Sequence, residues 1–150
     1  MTAQLIDQRF KRLIYVRGFT LIELLIVIAI LGILAAAVLV AINPGKRTRQ
    51  AQDAKRKNDI GALATEIQAY YTAPGLGQYP TSLSVLVNDK YLKQMPQDPT
   101  STLDYNYDYG TSEAAVWATL AEPTSAGTNL WCYESTSGKA SETTAGTCAD

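Results

Sequence analysis

The chain has 150 residues, with 13 Lys and Arg against 14 Asp and Glu for a formal charge of −1. It contains no histidine and two cysteines, which removes the commonest general base and metal ligand and allows at most one internal disulfide. That length accommodates one long helix and one small domain, and no nucleophile–base pair, metal-ligand cluster or phosphate-binding loop stands out in it.

Residues 1–18 read as a basic leader. Arg9, Lys11, Arg12 and Arg17 against Asp7 give it +3, while the nine basic and thirteen acidic residues that follow give −4. A basic flank ahead of an apolar span holds the N-terminus in the cytoplasm and sends the remainder across the membrane. The span itself is Phe19 to Ile42, 24 residues of which only Thr20, Glu23 and Gly32 are not clearly apolar. As a helix it covers roughly 36 Å, enough for a hydrocarbon core of about 30 Å. A membrane anchor, a secretory signal and a helix buried in an assembly all fit this run. Glu23 discriminates between them. A carboxylate at mid-bilayer costs about 2.5–3.5 kcal/mol, less near an end, and a plain anchor has no use for it. A helix drawn out of lipid to pack against identical helices can pair that carboxylate with a cation. Cutting between Gly18 and Phe19 would supply one, the new α-amino group. In an ordinary secretory signal the apolar core precedes the cleavage site and is discarded; here it would follow the site and be kept.

The stretch Gly18-Phe19-Thr20-Leu21-Ile22-Glu23, followed by an apolar helix, resembles the N-terminal signature of type IV pilins and type II secretion pseudopilins. The resemblance implies that a prepilin peptidase cuts after Gly18, that Phe19 becomes the N-methylated first residue, and that Glu23 sets axial register by pairing with the Phe19 amino terminus of a neighbour. It implies a pilin-like α+β fold: a long N-terminal helix, membrane-spanning in its first half and amphipathic in its second, packed on a small antiparallel sheet. The expected parts are a leader over 1–18, a long helix over 19–73 with its transmembrane part over 19–42, and a head over 74–150.

After Ile42, Asn43-Pro44-Gly45 predicts a kink or local melt over 43–45, since proline removes a backbone donor and disfavours α geometry in the residue before it. Gly32 matches a family glycine and is the second candidate break. The family's helix proline falls at Val40 here, a departure of four residues. Lys46-Arg47-Thr48-Arg49 and Lys55-Arg56-Lys57 form a basic segment. It reads as a solvated helix face or as a contact for anionic headgroups or acidic neighbours. Direct nucleic-acid binding is not expected, because these residues sit beside the membrane. Ile60, Leu63, Ala64, Ile67 and Tyr71 then share one helical face, and Pro74-Gly75 stop the helix near Ala73.

Thr81-Ser82 predicts the cap of a short helix carrying Leu83, Val85, Leu86 and Val87. The segment from Tyr79-Pro80-Thr81 through Leu86 and Tyr91-Leu92 to Pro96 and Asp98-Pro99 looks like the connecting region of major pseudopilins. Three strands are predicted: Tyr105 to Tyr109, Ala114 to Leu120 and Asn129 to Glu134. Tyr105, Tyr107 and Tyr109 read as a stripe packed on the helix, with a sugar- or surface-contact face as the alternative. Ser135 to Asp150 is rich in Ser, Thr, Gly and Ala and is expected to be loose unless tied down. Cys132 and Cys148 lie on the side that topology places in an oxidising space, which predicts a disulfide worth about 3 kcal/mol, with two free thiols as the alternative.

No cofactor is expected. Major pseudopilins carry calcium in this part of the head, but Asp98, Asp104 and Asp108 do not show a matching ligand spacing. The partners implied are other copies in a helical homopolymer, the prepilin peptidase, an inner-membrane assembly platform and motor, and membrane lipid before assembly. The expected function is a structural subunit of a type IV pilus, single-pass in the cytoplasmic membrane with its N-terminus inside and then extracellular in the fibre. The alternatives are a major pseudopilin of a type II secretion system and a membrane-anchored binding module. The disulfide-bounded tail and the missing calcium spacing favour the pilus; the segment ending at Pro99 favours the pseudopilin.

Overall fold

The computed structural model describes residues 18–73, 75–100, 104–144, 146 and 148. The chain divides into two units at Ile42–Asn43. The first contains α1, Leu21–Ile42, 22 residues of continuous helix with none buried. Its side chains are apolar all round, so no face is set aside for a core. The helix runs through Gly32 without interruption, which corrects the expectation of a break there. Glycine keeps its N–H donor and costs only about 1 kcal/mol in a helix interior, so the hydrogen-bond ladder survives it.

The interruption lies at Asn43, in the left-handed region at φ 47°. Asparagine tolerates that conformation better than most residues. Its Oδ1 accepts from the Lys46 N–H at 3.2 Å, so the residue that ends one helix caps the next. Pro44 is the first residue of α2, Pro44–Thr72, where its missing N–H and fixed φ do no harm. Pro44 and Gly45 therefore lie inside a helix, and the expected break over 43–45 contracts to Asn43.

The second unit is α2, the short α3 (Leu83–Asn88) and a four-stranded antiparallel sheet in the order β1-β2-β3-β4: Asn106–Tyr109, Ala114–Thr119, Leu130–Glu134 and Lys139–Thr143. Ile60, Leu63, Ala64 and Ile67 of α2 are buried. They meet Ala114, Val116 and Ala118, which alternate along β2 toward one face of the sheet. Leu86 of α3 and Tyr79 complete the core, and Tyr70, Tyr71, Tyr105, Tyr107, Trp131 and Tyr133 pack around it. Ser82 occupies the cap position of α3, but its hydroxyl makes no capping bond; it faces the Ser84 hydroxyl at 2.7 Å instead.

Two expectations change in this unit. The tail is not simply loose, because β4 pairs with β3 from Leu130↔Thr143 to Glu134↔Lys139. A tight turn joins them, with Gly138 at φ 63° and its N–H on the Glu134 carbonyl at 2.9 Å. The basic segment is a solvated face only in part: Lys46, Arg47, Arg49 and Lys55 are exposed, but Arg56 is not. Arg56 is 1% exposed. Its guanidinium donates to Asp98 through Nε at 2.6 Å and Nη2 at 3.0 Å, and to Asp53 at 2.7 Å. Asp53 in turn accepts from the backbone N–H groups of Ala121 and Glu122 at 2.9 and 2.7 Å. One buried cation thus ties α2 to the segment before β1, and its acidic partner on α2 ties down the loop after β2. Lys57 lies 4.4 Å from the centre of the Trp131 ring and pairs with Glu142 at 2.8 Å. Glu142 also accepts from the Thr124 and Ser125 N–H groups, and Lys57 above all draws its pKa down to about 2.

Candidate processing and assembly site

Gly18, Phe19 and Thr20 precede α1, are not helical and are exposed. Phe19 shows 87% of its surface. A Cβ built at Gly18 meets no atom of the described residues within 4 Å, so nothing in their packing asks for glycine there. Helical hydrogen bonding opens at the Thr20 carbonyl, which accepts from the Leu24 N–H at 3.2 Å.

Thr20 and Glu23 close a reciprocal pair at that start. The Glu23 N–H donates to Thr20 Oγ1 at 3.2 Å. Glu23 Oε2 accepts from the Thr20 N–H and from the Thr20 hydroxyl, each at 3.0 Å. This is a capping box, in which side chains satisfy backbone donors that the helix cannot. It also places a carboxylate against the positive end of the α1 dipole. Both bonds that the carboxylate accepts fall on Oε2. Thr20 was absent from the residues expected to matter, although Thr-x-x-Glu ahead of an apolar run is a readable sequence signal.

The other predicted residues lie elsewhere. Gly32 is mid-helix in α1, and Pro44 and Gly45 open α2. Cys132 and Cys148 form a disulfide sixteen residues apart, anchoring the end of the chain to β3 beyond β4. Of the tyrosine stripe, Tyr105 and Tyr107 pack against the core, and their hydroxyls donate to Asp59 and to the Pro80 carbonyl. Burial pushes both phenols well above their ordinary pKa. Tyr109 is exposed and stacks on Tyr107 with ring centres 5.9 Å apart.

A calcium site does not fit the aspartates present. Both oxygens of Asp98 already accept from Arg56, which holds its carboxyl far below the usual range, and one also accepts from the Thr100 N–H at 2.8 Å. Among the described residues no three Asp, Glu, His or Cys side chains gather as metal ligands. A cavity of about 130 Å³ beside the β1–β2 turn is lined in part by Asp108, Tyr109, Glu113 and Glu134.

The family described as a prokaryotic N-terminal methylation motif matches residues 15–39, the stretch holding Gly18, the capping box and most of α1. Beyond that motif the likeness reaches the head. The type II secretion system core protein G of Klebsiella michiganensis is 36% identical, with 55% of this chain and 67% of that protein covered. This chain belongs to the type IV pilin and pseudopilin family. Core protein G of Dickeya chrysanthemi is 36% identical over 55% of this chain and 62% of its own length. The Pseudomonas aeruginosa protein of the same name is 36% identical over 55% and 66%. The chain therefore spans just under two thirds of these two relatives. No solved structure matches it. Within the family, the pilin-like α+β fold expected from the sequence is present: an apolar N-terminal helix and a second helix packed on a small antiparallel sheet. The relatives point to the pseudopilin, the alternative in the sequence reading, rather than to a surface pilus subunit.

Proposed function

We propose that this chain is a structural subunit of a type II secretion pseudopilus, cut between Gly18 and Phe19 by a prepilin peptidase, N-methylated at Phe19 and polymerised through α1. The observation that carries this reading is α1 itself. Its 22 residues are apolar on every side and none is buried. Such a surface needs lipid or other apolar helices around it, and a subunit that passes from membrane to fibre has each in turn. The relatives' name, type II secretion system core protein G, supports the secretion fibre.

Before assembly, α1 would anchor the chain as a single pass with its N-terminus inside, and the second unit would lie across the membrane. An assembly platform and motor in that membrane would draw subunits into the fibre. Glu23 would then meet the Phe19 α-amino group of a neighbour. A buried pair of this kind serves register better than net stability. The type IV pilus reading keeps one observation on its side, the Cys132–Cys148 disulfide that bounds the C-terminal segment.

The test is the mass and N-terminus of the protein in sheared and membrane fractions. A chain starting at N-methylated Phe19 and retained in the envelope supports the pseudopilus. The same chain released mainly as long sheared fibres supports the pilus. A chain still carrying its leader overturns both.

A further inference from the structure

We infer that Thr20 is a positioning residue for leader removal: its capping box with Glu23 stops α1 at Leu21 and so holds the Gly18–Phe19 peptide bond outside the helix. The inference rests on the cleavage site proposed above and adds a determinant one residue beyond it.

Two backbone states compete for residue 20. In the observed state Thr20 is the cap, its side chain takes the Glu23 N–H, and its own N–H goes to the Glu23 carboxylate. In the other state Thr20 is helical, its N–H turns to the carbonyl four residues back, and the capping box cannot form. The two are mutually exclusive. The membrane sharpens the choice. Where water is scarce, an unsatisfied N–H is costly, so a helix that loses its cap gains by winding back into the preceding residues until its donors find carbonyls.

That extension would reach the scissile bond. In a continued helix the Gly18 carbonyl would accept from the Ile22 N–H and lie wrapped by the turn that follows it. A hydrolytic enzyme has to bring a nucleophile onto that carbonyl carbon and polarise its oxygen, so it needs the peptide unwound. In the structure Gly18, Phe19 and Thr20 are non-helical and exposed. The open space around Gly18 agrees with a glycine that answers to an external enzyme rather than to the fold.

The experiment follows leader removal in the full chain, in membranes containing a prepilin peptidase, by pulse–chase and mobility shift. Four chains are compared: the natural one, Thr20→Ala, Thr20→Ser and Thr20→Asn. Serine and asparagine are both strong caps, but only serine keeps a hydroxyl. Thr20→Ala is expected to be processed about fivefold more slowly, the ratio that corresponds to a typical lost cap. Thr20→Ser and Thr20→Asn are both expected near the natural rate. Equal rates for Thr20→Ala and the natural chain overturn the inference. Rescue by serine but not asparagine also overturns it, because the enzyme would then be reading the hydroxyl directly. A natural chain that is never cut sinks the proposed cleavage itself, which is a separate result from any ordering among the variants.

Discussion

Helix α1 buries none of its 22 residues, whereas α2, only seven residues longer, buries Asp53, Arg56, Ile60, Leu63, Ala64 and Ile67 along one side. The first helix is uniform around its axis and has no buried face. The second helix is sided and finds its partner in the sheet. Their ionisable groups differ in the same way. The carboxylate of α1, Glu23, is satisfied locally by Thr20 three residues away. On α2, beside the local Arg56–Asp53 and Lys55–Asp59 pairs, Arg56 reaches across the fold to Asp98 and Lys57 to Glu142. A helix whose polar groups are closed locally can leave its surroundings and enter new ones. A helix whose polar groups are spent on its own domain cannot. The contrast separates the part of the chain that carries the N-terminal methylation motif from the part that builds its own core.

Changes at the head of α1 are expected to have the largest effect on assembly and almost none on the fold. Glu23→Ala should still be cleaved, because Thr20 Oγ1 can keep capping the residue-23 N–H, but should reduce fibre yield sharply, read by immunoblot and electron microscopy; a normal yield would remove the register role. Gly18→Trp should fold normally, since none of the described residues crowds that position, yet retain its leader. A mature product from that variant would break the processing site.

Changes in α2 should do the reverse, lowering stability first. Arg56→Ala strands Asp53 and Asp98 as buried carboxylates, and about 3–5 kcal/mol of stability should go with it, measured by denaturant unfolding of the full chain in detergent. A loss below 1 kcal/mol would mean that water relieves the site. Cys132→Ser, which opens the Cys132–Cys148 bridge, should cost about 3 kcal/mol by the same measurement. Equal stability with and without reductant would contradict this.

The smallest effect is the response to acid. Asp98 and Glu142 both have folded pKa values below their unfolded ones. Their stabilisation is therefore complete above the unfolded carboxylate range, about 4, and fades as pH falls toward the Glu142 value of about 2. Thermal melts should be flat from pH 7 to 5 and decline below 4. Glu142→Gln should flatten part of that decline; an unchanged profile would show that the Lys57 pairing contributes nothing.

Much of this was legible residue by residue, wherever the signal is local. An unbroken apolar run can satisfy its backbone only as a helix. The spacing of Ile60, Leu63, Ala64 and Ile67 has one helical phase, and Pro74-Gly75 cannot extend it. β1, β2 and β3 announce themselves through alternation and aromatic or β-branched content. Of the leader expected over 1–18, all but Gly18 falls outside the described residues, as do Ser101 to Leu103.

What could not be read from pattern depends on segments far apart in the chain. Lys55, Arg56 and Lys57 are equivalent cations in sequence, yet Arg56 alone is buried, because Asp98 arrives opposite it from 42 residues away. Carrying the phase of Ile60 back by four and seven residues lands on Arg56 and Asp53, which was the available clue. Lys139 to Thr143 has no apolar stripe and becomes a strand because β3 offers it an edge to pair with. Local chemistry along the first 42 residues was enough to mark the family this chain belongs to. The second unit owes its shape to which distant carboxylate meets which cation, and such meetings exist only once the chain has folded.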